Sequence, residues 1–175
     1  MDAWLERLRK EITEATAGLQ DLDWNRAPKG RWSSAEIIEH LGRSYGTTAK
    51  MLELSMEAGG PAPVRSAKVQ EFLTKALIVD IGIFPSGAKA PDMVKPKGDP
   101  GPVALERALS NLERMDAALA AAQDRWGPGP VAIHFALGPM SSSQWRKFHY
   151  IHGHHHVMQM LKRIGKKRSD KTRSI

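Results

Sequence analysis

The chain contains no cysteine. That removes disulfide frameworks, cysteine-ligated zinc, iron–sulfur clusters and thiol nucleophiles from the chemistry it can supply itself. It also lacks any apolar run approaching the roughly 20 residues that a membrane-spanning helix needs. Nor does Met1-Asp2-Ala3-Trp4-Leu5-Glu6-Arg7 read as a signal peptide, because acids and bases interrupt each apolar pair. A soluble, cytoplasmic protein with no membrane partner is the expectation. With 175 residues and a hydrophobic fraction of 41%, the chain is long enough for one self-sufficient core and too apolar for wholesale disorder.

Acidic residues are scarce only at one end. The formal net charge is +7, but from Lys162 onward seven basic residues face a single acid, Asp170, which leaves +6 there. The preceding body is nearly neutral. The chain therefore divides into a body, residues 1–165, and a basic tail, residues 166–175. A short basic terminus can touch phosphates, yet a solvated tail is its commoner meaning, so nucleic acid is not the expected partner.

Four stretches carry helical periodicity. Trp4, Leu5, Leu8, Ile12, Ala15 and Leu19 predict a helix over 2–20. A second opens at Ser33-Ser34-Ala35-Glu36, a capping-box pattern, and runs to about Met56, with Gly42 and Gly46 weakening its middle. A third spans about 103–123 through Leu105, Leu109, Leu112, Met115, Leu119 and Ala122. The last starts at a second capping box, Ser141-Ser142-Ser143-Gln144, and ends before Gly165. Residues 67–79 predict a short accessory helix, residues 81–102 a long Gly/Pro/Lys-rich loop, and residues 131–140 an apolar linker. Four long helices with accessory pieces imply an all-α bundle whose facing side chains can build a site.

Histidine supplies that site. Five of the seven histidines fall between His149 and His156, and the others are His40 and His134. Residues four apart on a helix share a face, at about 40° around the axis. His152 and His156 have that spacing. Trp145, His149, His152, His156 and Gln159 all lie within about 80° of arc, while His154 points more than about 100° away, toward solvent, and His155 is intermediate. One helix offers only two well-placed ligands, and His40 is the lone histidine of the second helix. A set of His40, His152 and His156 would leave positions open, as in catalytic metal sites. Gln159 is positioned to hydrogen-bond a ligand imidazole. His134 reads as structural or as lining the entrance, and Trp32 and Trp145 as core.

Trp32-Ser33-x-x-Glu36-Ile37-x-x-His40-Leu41 resembles the second-helix signature of the DinB/YfiT-like superfamily of metal-binding four-helix bundles. The pattern His134-x-x-x-Gly138-x-Met140-Ser141-x-x-x-Trp145, followed by His152-x-x-His155-His156-x-x-Gln159, is similar to that family's closing segment. The resemblance covers about residues 1–165. It implies an up-down-down-up four-helix bundle with one divalent metal on His40, His152 and His156, and it favours a homodimer. Relatives include metal-dependent thiol transferases that use low-molecular-weight thiols, and others proposed as hydrolases. The extra histidines depart from the pattern, so His149 or His155 could replace a ligand.

An ion there would acidify a water, polarise a carbonyl or activate a thiolate. Imidazole spacing does not name it: Zn or Ni leads, with Mn and Fe behind. Because the chain has no cysteine, sulfur must enter with a small-molecule substrate. The acid–base candidates are Glu36, one turn before His40, and His149, one turn before His152. The expected function is thus a metal-dependent thiol S-transferase or hydrolase. The alternative is a non-catalytic or stress-related module with a structural metal.

Overall fold

A computed structural model describes residues 1–60, 68–82 and 89–165. Pro61-Ala62-Pro63, the middle of the Gly/Pro/Lys segment (83–88) and the basic tail (166–175) lie outside the described residues. Among those described, the chain forms six α-helices and one small antiparallel sheet, so it is mostly helical rather than all-α.

Helix α1 is Ala3–Thr16, opened by the Asp2 carboxylate accepting from Trp4 N at 2.9 Å. It ends four residues earlier than the periodicity predicts, at Ala17-Gly18, and the chain restarts as the short α2, Asp21–Asn25. Leu5, Leu8 and Ile12 are fully buried, whereas Trp4 stays half-exposed against the Tyr150 ring. Helix α3, Ser34–Glu57, buries Ile37, Ile38, Leu41, Tyr45 and Leu52. Helix α4, Val69–Lys75, continues into a π-type turn, Ala76–Asp80. Its apolar residues Val69, Phe72 and Leu73 face solvent, and the buried ones are Ile78 and Val79.

Helix α5 is Gly101–Trp126, and α6 is Ser142–Ile164, stopped by Gly165 in the left-handed conformation. The principal packing pairs are α3 with α5 and α1 with α6. Gly42 is what lets α3 approach α5: a Cβ there would sit 2.9 Å from the Ala108 Cα. The helix propensity lost at that glycine is exchanged for close packing along Ala104 and Ala108.

The stretch predicted as an apolar linker is instead a hairpin. Strand β1, Pro130–His134, pairs antiparallel with β2, Gly138–Ser141, in the register His134 opposite Gly138 and Ala132 opposite Met140. Two prolines and a positive-φ glycine (Gly138, φ 71) interrupt the alternation by which strands are recognised. The His134 ring holds the turn, with Nδ1 accepting from the backbone N–H of Ala136 and Leu137, both at 3.2 Å. The hairpin leads directly into the cap of α6.

Candidate metal centre

Two helix starts set the angular position of the site. At α3 the Ser33 hydroxyl accepts from Glu36 N at 3.2 Å and the Glu36 carboxylate accepts from Ser33 N at 2.7 Å. At α6, Ser141 and Gln144 form the same reciprocal pair. Each box satisfies orphan donors of the first turn and so fixes where helical geometry begins. His40 then follows one turn after Glu36 in α3, and His152 and His156 occupy the facing side of α6.

The three imidazoles converge. His40 Nε2 lies 3.2 Å from His152 Nε2, and His156 Nε2 lies 3.1 Å from the same atom. All three ligand atoms fall within 4.8 Å of one another, and all three residues are buried. Zn–N bonds of about 2.0–2.1 Å place tetrahedral ligand nitrogens about 3.3 Å apart, and right-angled ones about 2.9 Å apart. The two spacings to His152 Nε2 lie between these values, so they suit a shared ion without naming it.

Protons settle the fit. His40 Nδ1 is 2.9 Å from the Val94 carbonyl, which only accepts, so the proton sits on Nδ1. His156 Nδ1 likewise donates to Gln159 Oε1 at 3.0 Å, and the other end of that amide donates to His155 Nε2 at 2.8 Å. A neutral imidazole carrying its proton on Nδ1 has a bare lone pair on Nε2. Two such lone pairs therefore converge on His152 Nε2. One proton there would satisfy one of them, whereas a cation satisfies all three nitrogens.

Burial is the main reason these rings stay neutral, which is their ligand form. It lowers His40, against the opposing bond to Val94, and pushes His152 well below the usual range with help from its histidine neighbours. It takes His156 down to about 3, with His40 and His155 adding to the shift and Gln159 opposing it. Among the described residues no carboxylate joins the group.

The remaining candidates fall elsewhere. Glu36 is committed to the Ser33 N–H as a capping residue. His149 is almost fully buried behind the ligands, its Nε2 3.1 Å from Thr48 Oγ1 and its ring stacked 5.7 Å from Trp145. Burial first and then His134 push it down to about 3, so at neutral pH it is a neutral imidazole and a weak base. His154 does not point to solvent as its helical angle suggests. It is half-buried against α1, with Nδ1 2.7 Å from the Glu11 carboxylate. His155 is not one of the three grouped ligands: its Nε2 is hydrogen-bonded to Gln159, and its ring lies edge-on 5.5 Å from that of His156. Trp145 is core, as expected, and Trp32, half-buried, packs against the core beside the site, its ring 4.9 Å from that of His40 and 6.4 Å from that of His156.

Sequence reasoning misses the Val94 carbonyl. It belongs to a 3₁₀ turn, Asp92–Val94, within the segment predicted as loop, and a backbone oxygen 54 residues away leaves no side-chain signature.

Residues 5–163 match the family described as "Protein of unknown function (DUF1569)". No curated protein and no solved structure matches the chain.

Proposed function

The chain belongs to the DUF1569 family, and from that premise we propose that it holds one divalent cation on His40, His152 and His156 for small-molecule chemistry. The reaction proposed is thiol transfer or hydrolysis. The observation that carries the reading is the convergence of three neutral, buried imidazoles, with the Nε2 atoms of His40 and His156 3.2 and 3.1 Å from that of His152 and all three within 4.8 Å. The resemblance to DinB/YfiT-like proteins supports it. On that reading α1, α3, α5 and α6 are the four helices of an up-down-down-up bundle.

When bound, the ion would supply Lewis acidity to a thiol, a water or a carbonyl that reaches it. The chain's own residues do the rest. Val94 O and Gln159 Oε1 hold the protons of His40 and His156 on Nδ1, which keeps both Nε2 lone pairs aimed inward. Trp32 restricts entry from solvent. Glu36 is a helix cap in this scheme, and His149 a neutral ring buried beside the ligands. With no cysteine in the chain, a thiol substrate must bring its own sulfur. A homodimer and a cytoplasmic setting belong to the same proposal.

A second reading, a non-catalytic structural ion, is favoured by one fact: each ligand is less than one-tenth exposed. Elemental analysis of untagged protein tests the first reading, with one equivalent of metal expected in the wild type and a loss in His40→Ala and His152→Ala. Metal retained at one equivalent in both variants would overturn it. A large fall in melting temperature on metal loss would favour the structural ion. If the fold survives, a screen with a glutathione-like thiol and an electrophile separates enzyme from binding module.

A further inference from the structure

Glu39 directly precedes His40 and is 2% exposed. A carboxylate in that setting is costly unless its oxygens are satisfied. Here the hydrogen-bond donors are all backbone: Oε1 accepts from Lys97 N at 2.7 Å, and Oε2 accepts from Gly98 N at 2.9 Å and Asp99 N at 3.0 Å. One turn further along α3, Arg43 lies 3.9 Å from Glu39 and donates to the Met93 carbonyl at 3.1 Å. Between these two grips, the Val94 carbonyl receives the His40 Nδ1 proton. Residues 93–99 thus form a strap held on α3 at both ends, with the His40 contact between them.

We infer that Glu39 is a positioning residue for the metal centre: by clamping the strap it presents Val94 O to His40 and so keeps the Nε2 lone pair directed at the ion. This rests on the metal reading proposed above. Other charged groups near the strap are far less buried. Lys97 and Asp99 are near the surface, and the Lys95–Asp92 ion pair is exposed. Charge matters as well as shape. A glutamine amide would turn an N–H₂ donor toward backbone N–H groups that need acceptors.

The test is zinc affinity of Glu39→Gln, read beside the imidazole nitrogen chemical shifts of His40 in metal-free protein. Partners of ligand histidines typically contribute 10–100-fold to metal affinity. Because Glu39 acts through the Val94 carbonyl, we expect Glu39→Gln to weaken zinc binding by about 10-fold, the lower end of that range, and to displace the proton from His40 Nδ1. Unchanged affinity, or a loss with the His40 tautomer unchanged, would overturn the inference, since a merely structural defect would weaken binding without moving that proton. Should Glu39→Gln fail to fold, Arg43→Gln releases the other end of the strap while leaving the Glu39 carboxylate with its backbone donors, and a smaller loss with the same change of His40 tautomer is expected. Wild-type protein that binds no zinc would refute the metal reading instead. In that case the imidazole nitrogen chemical shifts of His40 in metal-free protein decide the positioning role alone. They are expected to report a proton on Nδ1 that Glu39→Gln displaces, and an unchanged tautomer would overturn it.

Discussion

Acidification from pH 7 to pH 5 should destabilise the metal-free protein, and His149 sets a scale for the effect. In the unfolded chain this histidine titrates near pH 6.5, whereas burial lowers it to about 3 in the fold. Between those values the unfolded state binds the extra proton. Stability is therefore fully present above about 6.5 and is lost as pH falls through the window. From pH 7 to pH 5 the loss from this one side chain is about 2 kcal/mol. The figure is insensitive to the folded value, because His149 stays neutral at pH 5 whether it titrates near 3 or near 4. His134, lowered to about 4 by burial, acts in the same direction. Against a total stability of about 5–15 kcal/mol, this is a large share. The assay is urea unfolding of chelator-treated protein at pH 7, 6 and 5, repeated on His149→Phe. The variant should flatten the pH slope by up to about 1.4 kcal/mol per unit, whatever its absolute stability. A stability that is level from pH 7 to 5, or a slope unchanged in the variant, would refute the argument that a buried neutral imidazole is titrating.

Three further outcomes follow from the geometry. Gln159→Leu removes the acceptor for His156 Nδ1 and should lower metal affinity about 10–100-fold by calorimetric titration; unchanged affinity would show that this hydrogen bond does not matter. Gly153→Ala puts a Cβ 2.6 and 2.8 Å from the Leu8 methyls and 2.9 Å from the Tyr45 hydroxyl. Overpacking of about 1–3 kcal/mol should outweigh the roughly 1 kcal/mol gained in helix propensity, so the melting temperature falls, and a rise would contradict the close α1–α6 packing. Glu36→Ala should cost about 1 kcal/mol, as lost caps do, while metal stoichiometry stays at the wild-type value. A variant of undiminished stability but lost turnover would return Glu36 to a catalytic role.

Much of the site is legible in the sequence because its parts are local. Both capping boxes appear in the order Ser-x-x-Glu and Ser-x-x-Gln, and both form at those residues. The four-residue spacing of His152 and His156 needs only helical geometry to put both on one face. Long-range features are less legible. The helical angle of His154 alone points it to solvent, but α1 lies on that side and offers Glu11. The hairpin at 130–141 is hidden because Pro130, Pro139 and Gly138 break its alternation, and its pairing depends on the turn that His134 holds.

The sequence by itself determined where the long helices begin, which faces of them are apolar, and that any metal would find imidazoles rather than thiolates. Those properties follow from periodicity and side-chain chemistry within a few turns of chain. Tertiary structure alone decided that His40 meets the α6 pair and that a strap residue's carbonyl fixes the His40 proton. It also decided that His149 is sealed into the core beside Thr48. Each of those depends on contacts between segments 54 to 112 residues apart. Local patterns carry no record of such distances, and only the packing of α3 and α6 with the 93–99 strap resolves them.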